Sequence, residues 1–202
     1  MDACPFDTLG SICRLSSRPL AQPGETKYDT SMGTDDHQCW IIRSGGPGDR
    51  DGLTAVRRDA VFAQCREHYS EEQMTLWTTP SDKRRPGAPV PSPILYIAEI
   101  EGYPIGFGAI QADGTWIRSL YIRGQYAGCG LGRELMEIML RVSAEKDVPE
   151  VRLESSMNAV PFYRRFGFEV EEETLYPLSD TVSLPCARMV KRLRDRRPGD
   201  PE

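Results

Sequence analysis

The chain has 202 residues, 39% of them hydrophobic and 27% charged, a length and an apolar content that suit one domain with one core. Asp plus Glu (30) exceeds Lys plus Arg (25), giving a formal charge of −5, which argues against a nucleic-acid partner because such domains carry a basic footprint. No apolar run approaches the roughly 18–20 residues that cross a bilayer, and the N-terminus lacks the basic start and apolar stretch of a secretory signal, so a cytoplasmic protein with no membrane contact is expected.

Residues 1–38 mix Ser, Thr, Gly, Pro, Asp and Gln without a sustained period and read as a flexible leader. Order is expected from Cys39 to residue 194, followed by a frayed tail over 195–202. Cys39 to Arg43 is a short β-prone run, and Gly45 to Gly48 forms a turn after which Asp49 or Asp51 can cap a helix. Leu53, Val56, Ala60 and Ala63 recur at helical spacing, with the helix continuing toward Tyr69. Ser70 and Gln73 have the spacing of a capping box for a second helix through Trp77. Residues 79–92 form a proline-rich, locally basic stretch that reads as a solvated loop.

Three antiparallel strands follow, at Ile94–Ile100, Ile105–Ile110 and Trp116–Ile122, with turns at Glu101-Gly102 and Ala112-Asp113-Gly114. A loop from Arg123 to Ala127 leads into Gly128-Cys129-Gly130-Leu131-Gly132. A helix is then predicted from Leu131 to Lys146, with Leu131, Leu135, Ile138, Met139 and Val142 on one face. Val151–Ser155 is a strand, Asn158–Phe166 a short helix stopped at Gly167, and Phe168–Val170 and Ala187–Val190 are further strands. This order predicts an α/β (α+β) fold: a mixed, mostly antiparallel sheet flanked by helices.

The six cysteines form no CxxC pair, and His37 and His68 are the only histidines. No metal site is expected from such a set, and mostly reduced, structurally bland thiols are expected in the cytoplasm. The glycine trio Gly128, Gly130 and Gly132 lets backbone N–H groups converge at a helix start, an arrangement that attracts phosphate. A tight turn that merely permits close packing explains the same glycines. A dinucleotide-binding fold is opposed by the G-x-G-x-G spacing, by the antiparallel strands before it, and by the short remainder after Glu154.

Gln125-Tyr126-Ala127-Gly128-Cys129-Gly130 resembles the Q/R-x-x-G-x-G/A signature of the GNAT acyl-CoA N-acyltransferase superfamily. Asn158-Ala159-Val160-Pro161-Phe162-Tyr163-Arg164-Arg165-Phe166-Gly167-Phe168 resembles that family's second signature, in the right order. The resemblance covers Ile94 to about Leu193, and residues 39–77 fit the family's first strand and paired helices without diagnostic residues. It implies transfer of the acetyl group of acetyl-CoA to a primary amine by direct attack in a ternary complex. Leu120, Tyr121 and Ile122 would then serve the pantetheine arm through the strand's main chain. Gln125 and the backbone of Gly128, Cys129, Gly130, Leu131, Gly132 and Arg133 would hold the pyrophosphate. Asn158 would bond the pantetheine region, Phe162 would line the cofactor site, and Tyr163 would protonate the departing thiolate. For Tyr163 the other reading is an aromatic anchor of its helix, and Phe162, Phe166 and Phe168 also read as core.

The match departs at Trp116, where many family members carry a glutamate that deprotonates the amine. An alkyl ammonium with a pKa of about 10.4 is roughly 0.1% neutral near pH 7.4, a cost of about 4 kcal/mol. Asp113, Glu99, Glu101 and Glu154 are the carboxylates that topology places nearby, and Trp116 itself either lines the acceptor pocket or packs in the sheet. The acceptor is expected to be a small-molecule amine. A protein lysine or N-terminus, and a non-catalytic acyl-CoA sensor, are the alternatives, and a homodimer is left open.

Overall fold

The computed structural model describes residues 40–79 and 92–193, and in it the apolar runs become strands of one sheet. These are β1 (Ile41–Ser44), β2 (Ile94–Ile100), β3 (Tyr103–Ile110), β4 (Trp116–Ile122), β5 (Glu150–Ser156), β6 (Glu169–Pro177) and β7 (Ser183–Arg192). They lie in the order β1-β2-β3-β4-β5-β7-β6, every neighbouring pair antiparallel except β4 and β5. Helices α1 (Arg50–Gln64), α2 (Glu71–Thr78), α3 (Leu131–Glu145) and α4 (Val160–Arg164) flank the sheet. The expected mixed, mostly antiparallel α/β architecture is observed. The leader over 1–38, the tail over 195–202 and most of the proline-rich loop lie outside the described residues.

Local chemistry sets the turns. Glu101 and Gly102 both have positive φ, the conformation that matches the twist of a two-residue hairpin between β2 and β3. In the next turn, the Asp113 carboxylate accepts from the backbone N–H and the hydroxyl of Thr115. Ser70 caps α2 as its spacing predicts: its hydroxyl accepts from Gln73 N–H while the Gln73 side chain accepts from Ser70 N–H. Asp49 behaves differently from expectation. It makes no side-chain cap on α1 and instead accepts from Gly46 N–H and the Arg43 guanidinium.

The two sheet faces bury different helices. On one, Leu131, Leu135, Met136 and Met139 of α3 are fully buried against Ile105, Ile117, Leu153 and Met189. On the other, Val56 of α1 packs with Ile97 and Phe107, and Tyr121 continues that row because Ile97 faces Phe107 and Phe107 faces Tyr121. Two details of the helical pattern differ from the sequence reading. Val61, not Ala63, completes the buried stripe of α1, and Met136 is buried where Ile138 is only partly so. Moreover, α1 stops at Gln64, well short of Tyr69.

The largest correction is at the C-terminal hairpin. β6 runs to Pro177 and β7 begins at Ser183, far beyond the short strands expected at Phe168–Val170 and Ala187–Val190. The acidic run Glu171–Glu173 hides the strand because β6 is an edge strand with mostly exposed residues. Its pairing is supported by ion pairs of Arg188 with Glu172 and of Arg152 with Glu171. Burial predicts how mutations divide. Leu135→Ala, at a site with 0% exposure, is expected to cost about 2–5 kcal/mol of stability. Leu175→Ala, at 64% exposure on β6, should change it by no more than about 0.5 kcal/mol; urea unfolding monitored by tryptophan fluorescence measures both.

Candidate active site

β4 and β5 pair only at their starts, Trp116 with Arg152 and Ile117 with Leu153. The cause is visible in the register with β3: Ala109 faces Ser119 while Ile110 faces Ile117, so Arg118 is an extra residue in β4. Such a bulge bends and twists its strand. Beyond it β4 runs away from β5, and its edge from Arg118 to Ile122 borders a cleft of about 330 Å³. The opposite bank is formed by Leu153, Glu154 and Ser156 of β5. The bulge also changes which residues share a face. Ile117 belongs to the α3-side core, and Tyr121 faces the α1 side, where it sits by Phe107 and Trp77.

The cleft gathers residues that are far apart in sequence. Leu120, Tyr121, Ile122, Gly128, Gly132, Asn158, Phe162 and Tyr163, all singled out from sequence, line it. Gln125 is exposed in a 3-10 turn over Gly124–Tyr126, and Arg133 is exposed on α3 beside Glu137. Neither lines the cleft, nor do Cys129 and Gly130, which lie on the turn at its rim between Gly128 and Gly132. Leu131 has a fully buried side chain in the core, so only its backbone is available to a ligand. Trp116 sits at the closed end of the splay, opposite Arg152, and not on the cleft wall.

The glycine turn is built for open backbone. Gly128 and Gly130 have φ of 84° and 92°, and a Cβ at either would meet nothing within 4 Å. The glycines are therefore demanded by backbone conformation and not by crowding. Gly130 is the N-cap of α3 and its carbonyl accepts from Glu134 N–H; the first N–H groups of a helix have no partner within it and, with the helix dipole, favour an anion. Cys129 is disulfide-bonded, and its partner lies outside the described residues. Half-buried Cys129 thus departs from the mostly reduced thiols expected. Cys65 and Cys186 are free and buried.

Hydrogen bonds tie the walls together. The Gln64 side chain donates to Ile122 C=O at 2.7 Å, and the Asn158 side chain donates to Gln64 C=O at 3.3 Å. Asn158 Oδ1 also accepts from the Cys65 thiol at 3.6 Å, and burial pushes that thiol up to about 11. The Tyr69 hydroxyl donates to Pro185 C=O and accepts from Met157 N–H, with burial pushing it up to about 12. Tyr163 lies edge-on to Phe162 and Phe168. Burial raises its pKa, and its hydroxyl makes no hydrogen bond among the described residues.

A family model described as an acetyltransferase (GNAT) domain matches residues 65–177. The chain belongs to the GNAT acetyltransferase family. The uncharacterized N-acetyltransferase YafP of Escherichia coli (strain K12) is 27% identical over 132 residues, 65% of this chain and 83% of that protein. Two solved structures share the fold. A GCN5-related N-acetyltransferase from Rhodopseudomonas palustris superposes with a TM-score of 0.67 at 22% identity, covering 80% of this chain and 100% of that one. The PaiA N-acetyltransferase of Thermoplasma acidophilum, solved in complex with coenzyme A, gives 0.57 at 21% identity, covering 76% and 99%.

In this GNAT chain, sequence reading missed Gln64, Cys65 and Ser156 as cleft residues. No local pattern marks them, since each reaches the cleft through contacts made by α1 or the end of β5. Of the four carboxylates near the site by topology, one lines the cleft: Glu154. Glu99 is held by Arg43 at 2.9 Å, Asp113 is spent in its turn, and Glu101 is exposed in the hairpin. The protonated state of Cys65 is directly testable, because the thiolate is the reactive form. At pH 8, iodoacetamide should modify Cys65 at least ~100-fold more slowly in the folded protein than in urea, as followed by mass spectrometry.

Proposed function

We propose that the cleft between β4 and β5 binds acetyl-CoA and transfers its acetyl group directly to a small-molecule primary amine. Carrying the reading is the Tyr163 hydroxyl, unpartnered among the described residues on a cleft bordered by an unpaired strand edge. That edge offers main-chain donors and acceptors to an amide-rich chain such as pantetheine. The open turn at Gly128 and Gly130, with the N-terminus of α3 behind it, offers convergent N–H groups to a pyrophosphate. The coenzyme A held by the Thermoplasma neighbour supports the same ligand chemistry. Acetyl-CoA supplies the acetyl group as an activated thioester.

The amine enters from the side of α1 and α2 and is held beside Glu154. Glu154 stands in for the carboxylate absent at position 116: it accepts a proton from the bound ammonium, freeing the lone pair that attacks the thioester carbonyl. The second N–H proton replaces the one that Tyr163 gives up as the adduct collapses. Arg188, 3.7 Å away, orients Glu154. Tyr163 donates its proton to the departing sulfur as the C–S bond breaks. The phenol is in its protonated form at neutral pH, because burial raises its pKa above the ordinary value of about 10. Cys65 takes no covalent part, its thiol being held neutral by burial.

Acetyl-CoA-dependent thiol release across a panel of primary amines tests the reading, and release with none of them despite good folding would reject it. Tyr163→Phe keeps the ring contacts and is expected to lower kcat by about 10- to 100-fold with little change in acetyl-CoA affinity. For the wild type, no loss of kcat from Tyr163 ionisation is expected below about pH 10. Glu154→Gln should lower kcat/KM by about 100-fold or more. Full activity in either variant would remove that residue from the mechanism.

A further inference from the structure

Most arginines on the sheet are answered by carboxylates: Arg43 by Asp49 and Glu99, Arg152 by Glu150 and Glu171, Arg188 by Glu154 and Glu172. Arg123, the buried one, donates Nε to Pro104 C=O at 2.8 Å, faces Asp59 at 3.6 Å and lies over the Tyr103 ring. Arg57 has no such set. Among the described residues its Nε is the one buried side-chain nitrogen or oxygen that lacks a hydrogen-bond partner. Its guanidinium carbon lies 5.7 Å from the centroid of the Tyr121 ring.

Position makes this more than an oddity of packing. Arg57 follows the fully buried Val56 on α1, and Ala60 and Val61, one turn further on, line the cleft. Tyr121 lines the cleft as well, and its oxygen accepts from Trp77 Nε1 at 3.1 Å, leaving its O–H to donate elsewhere. Arg57 does not itself line the cleft, but its guanidinium stands by the Tyr121 ring, which does, while the carboxylate of Glu154 stands on the bank formed by β5. A buried charged donor left unanswered is unfavourable, and an incoming anion removes that penalty. The planar fork of an arginine fits a carboxylate with two parallel hydrogen bonds.

We propose that the acceptor is an amine that also carries a carboxylate, received by Arg57 with the Tyr121 hydroxyl as a second donor. Amine and carboxylate are then sorted to opposite banks, the ammonium to Glu154 and the carboxylate to Arg57. The inference rests on the acetyl-transfer reading of the cleft and narrows its substrate class.

Matched pairs of amines test it: glycine and glycinamide, β-alanine and β-alaninamide, 4-aminobutyrate and its amide, phenylalanine and its amide. In acetyl-CoA-dependent thiol release, at least one acid is expected to exceed its amide by roughly 10- to 100-fold in kcat/KM. That preference should fall to near unity in Arg57→Gln and survive in part in Arg57→Lys, with acetyl-CoA affinity unchanged in both. Amides used as well as acids by the wild type, or an acid preference kept by Arg57→Gln, would overturn the proposal. Calorimetry of the free protein with the four acids separates this from failure of the transferase reading. Acid binding that is lost in Arg57→Gln supports the anion site even without turnover, and no acid binding combined with no acid preference rejects it. Acetyl-CoA that does not bind rejects the reading of the cleft and leaves the calorimetric answer standing.

Discussion

One extra residue in a strand organises this molecule. Arg118 has no counterpart on β3, and the bulge it makes ends the pairing of β4 with β5 after two residue pairs. A parallel pair in the middle of a sheet would otherwise be sealed by evenly spaced hydrogen bonds. Here the sheet stays continuous at one end and parts at the other, and the parted end becomes the cleft. An unpaired backbone edge along the cleft follows from that break. The helices then act as walls, α1 and α2 on one side and α3 and α4 on the other.

The order of strands and helices through the middle of the chain was readable because its signals are local. Alternating apolar runs, the tight turn at Glu101-Gly102, the Ser70 capping box and the glycine trio each act over a few residues. The two signatures around Gly128 and Tyr163 also sit in short, continuous stretches. By contrast, the long β6–β7 hairpin was largely hidden. Its acidic outer strand takes its stability from pairing and from Arg152 and Arg188, which lie elsewhere in the sequence.

The site was legible in part for the same reason. Gly128, Asn158, Phe162 and Tyr163 reach the cleft, and their motifs pointed to them. Gln64 and Arg57 carried no such mark, and Glu154 was one of four carboxylates that topology offered. The bond from Gln64 to Ile122 joins positions 58 residues apart, and that from Asn158 to Gln64 joins positions 94 apart. Choosing Glu154 from four carboxylates required knowing that Glu99 is held by Arg43, that Asp113 bonds within its own turn and that Glu101 is exposed in the hairpin.

The Tyr69 hydroxyl sits at a junction of three segments, receiving Met157 N–H at 2.7 Å and donating to Pro185 C=O at 2.8 Å. One oxygen thereby fastens the connection between α1 and α2 to the start of the second signature and to β7. Because a single phenol serves both bonds, neither can be released without weakening the anchorage of the other. The connection between α1 and α2 and the segment that leads into Tyr163 thus share one anchor, and exchange of the Met157 amide hydrogen reads how firmly that anchor holds.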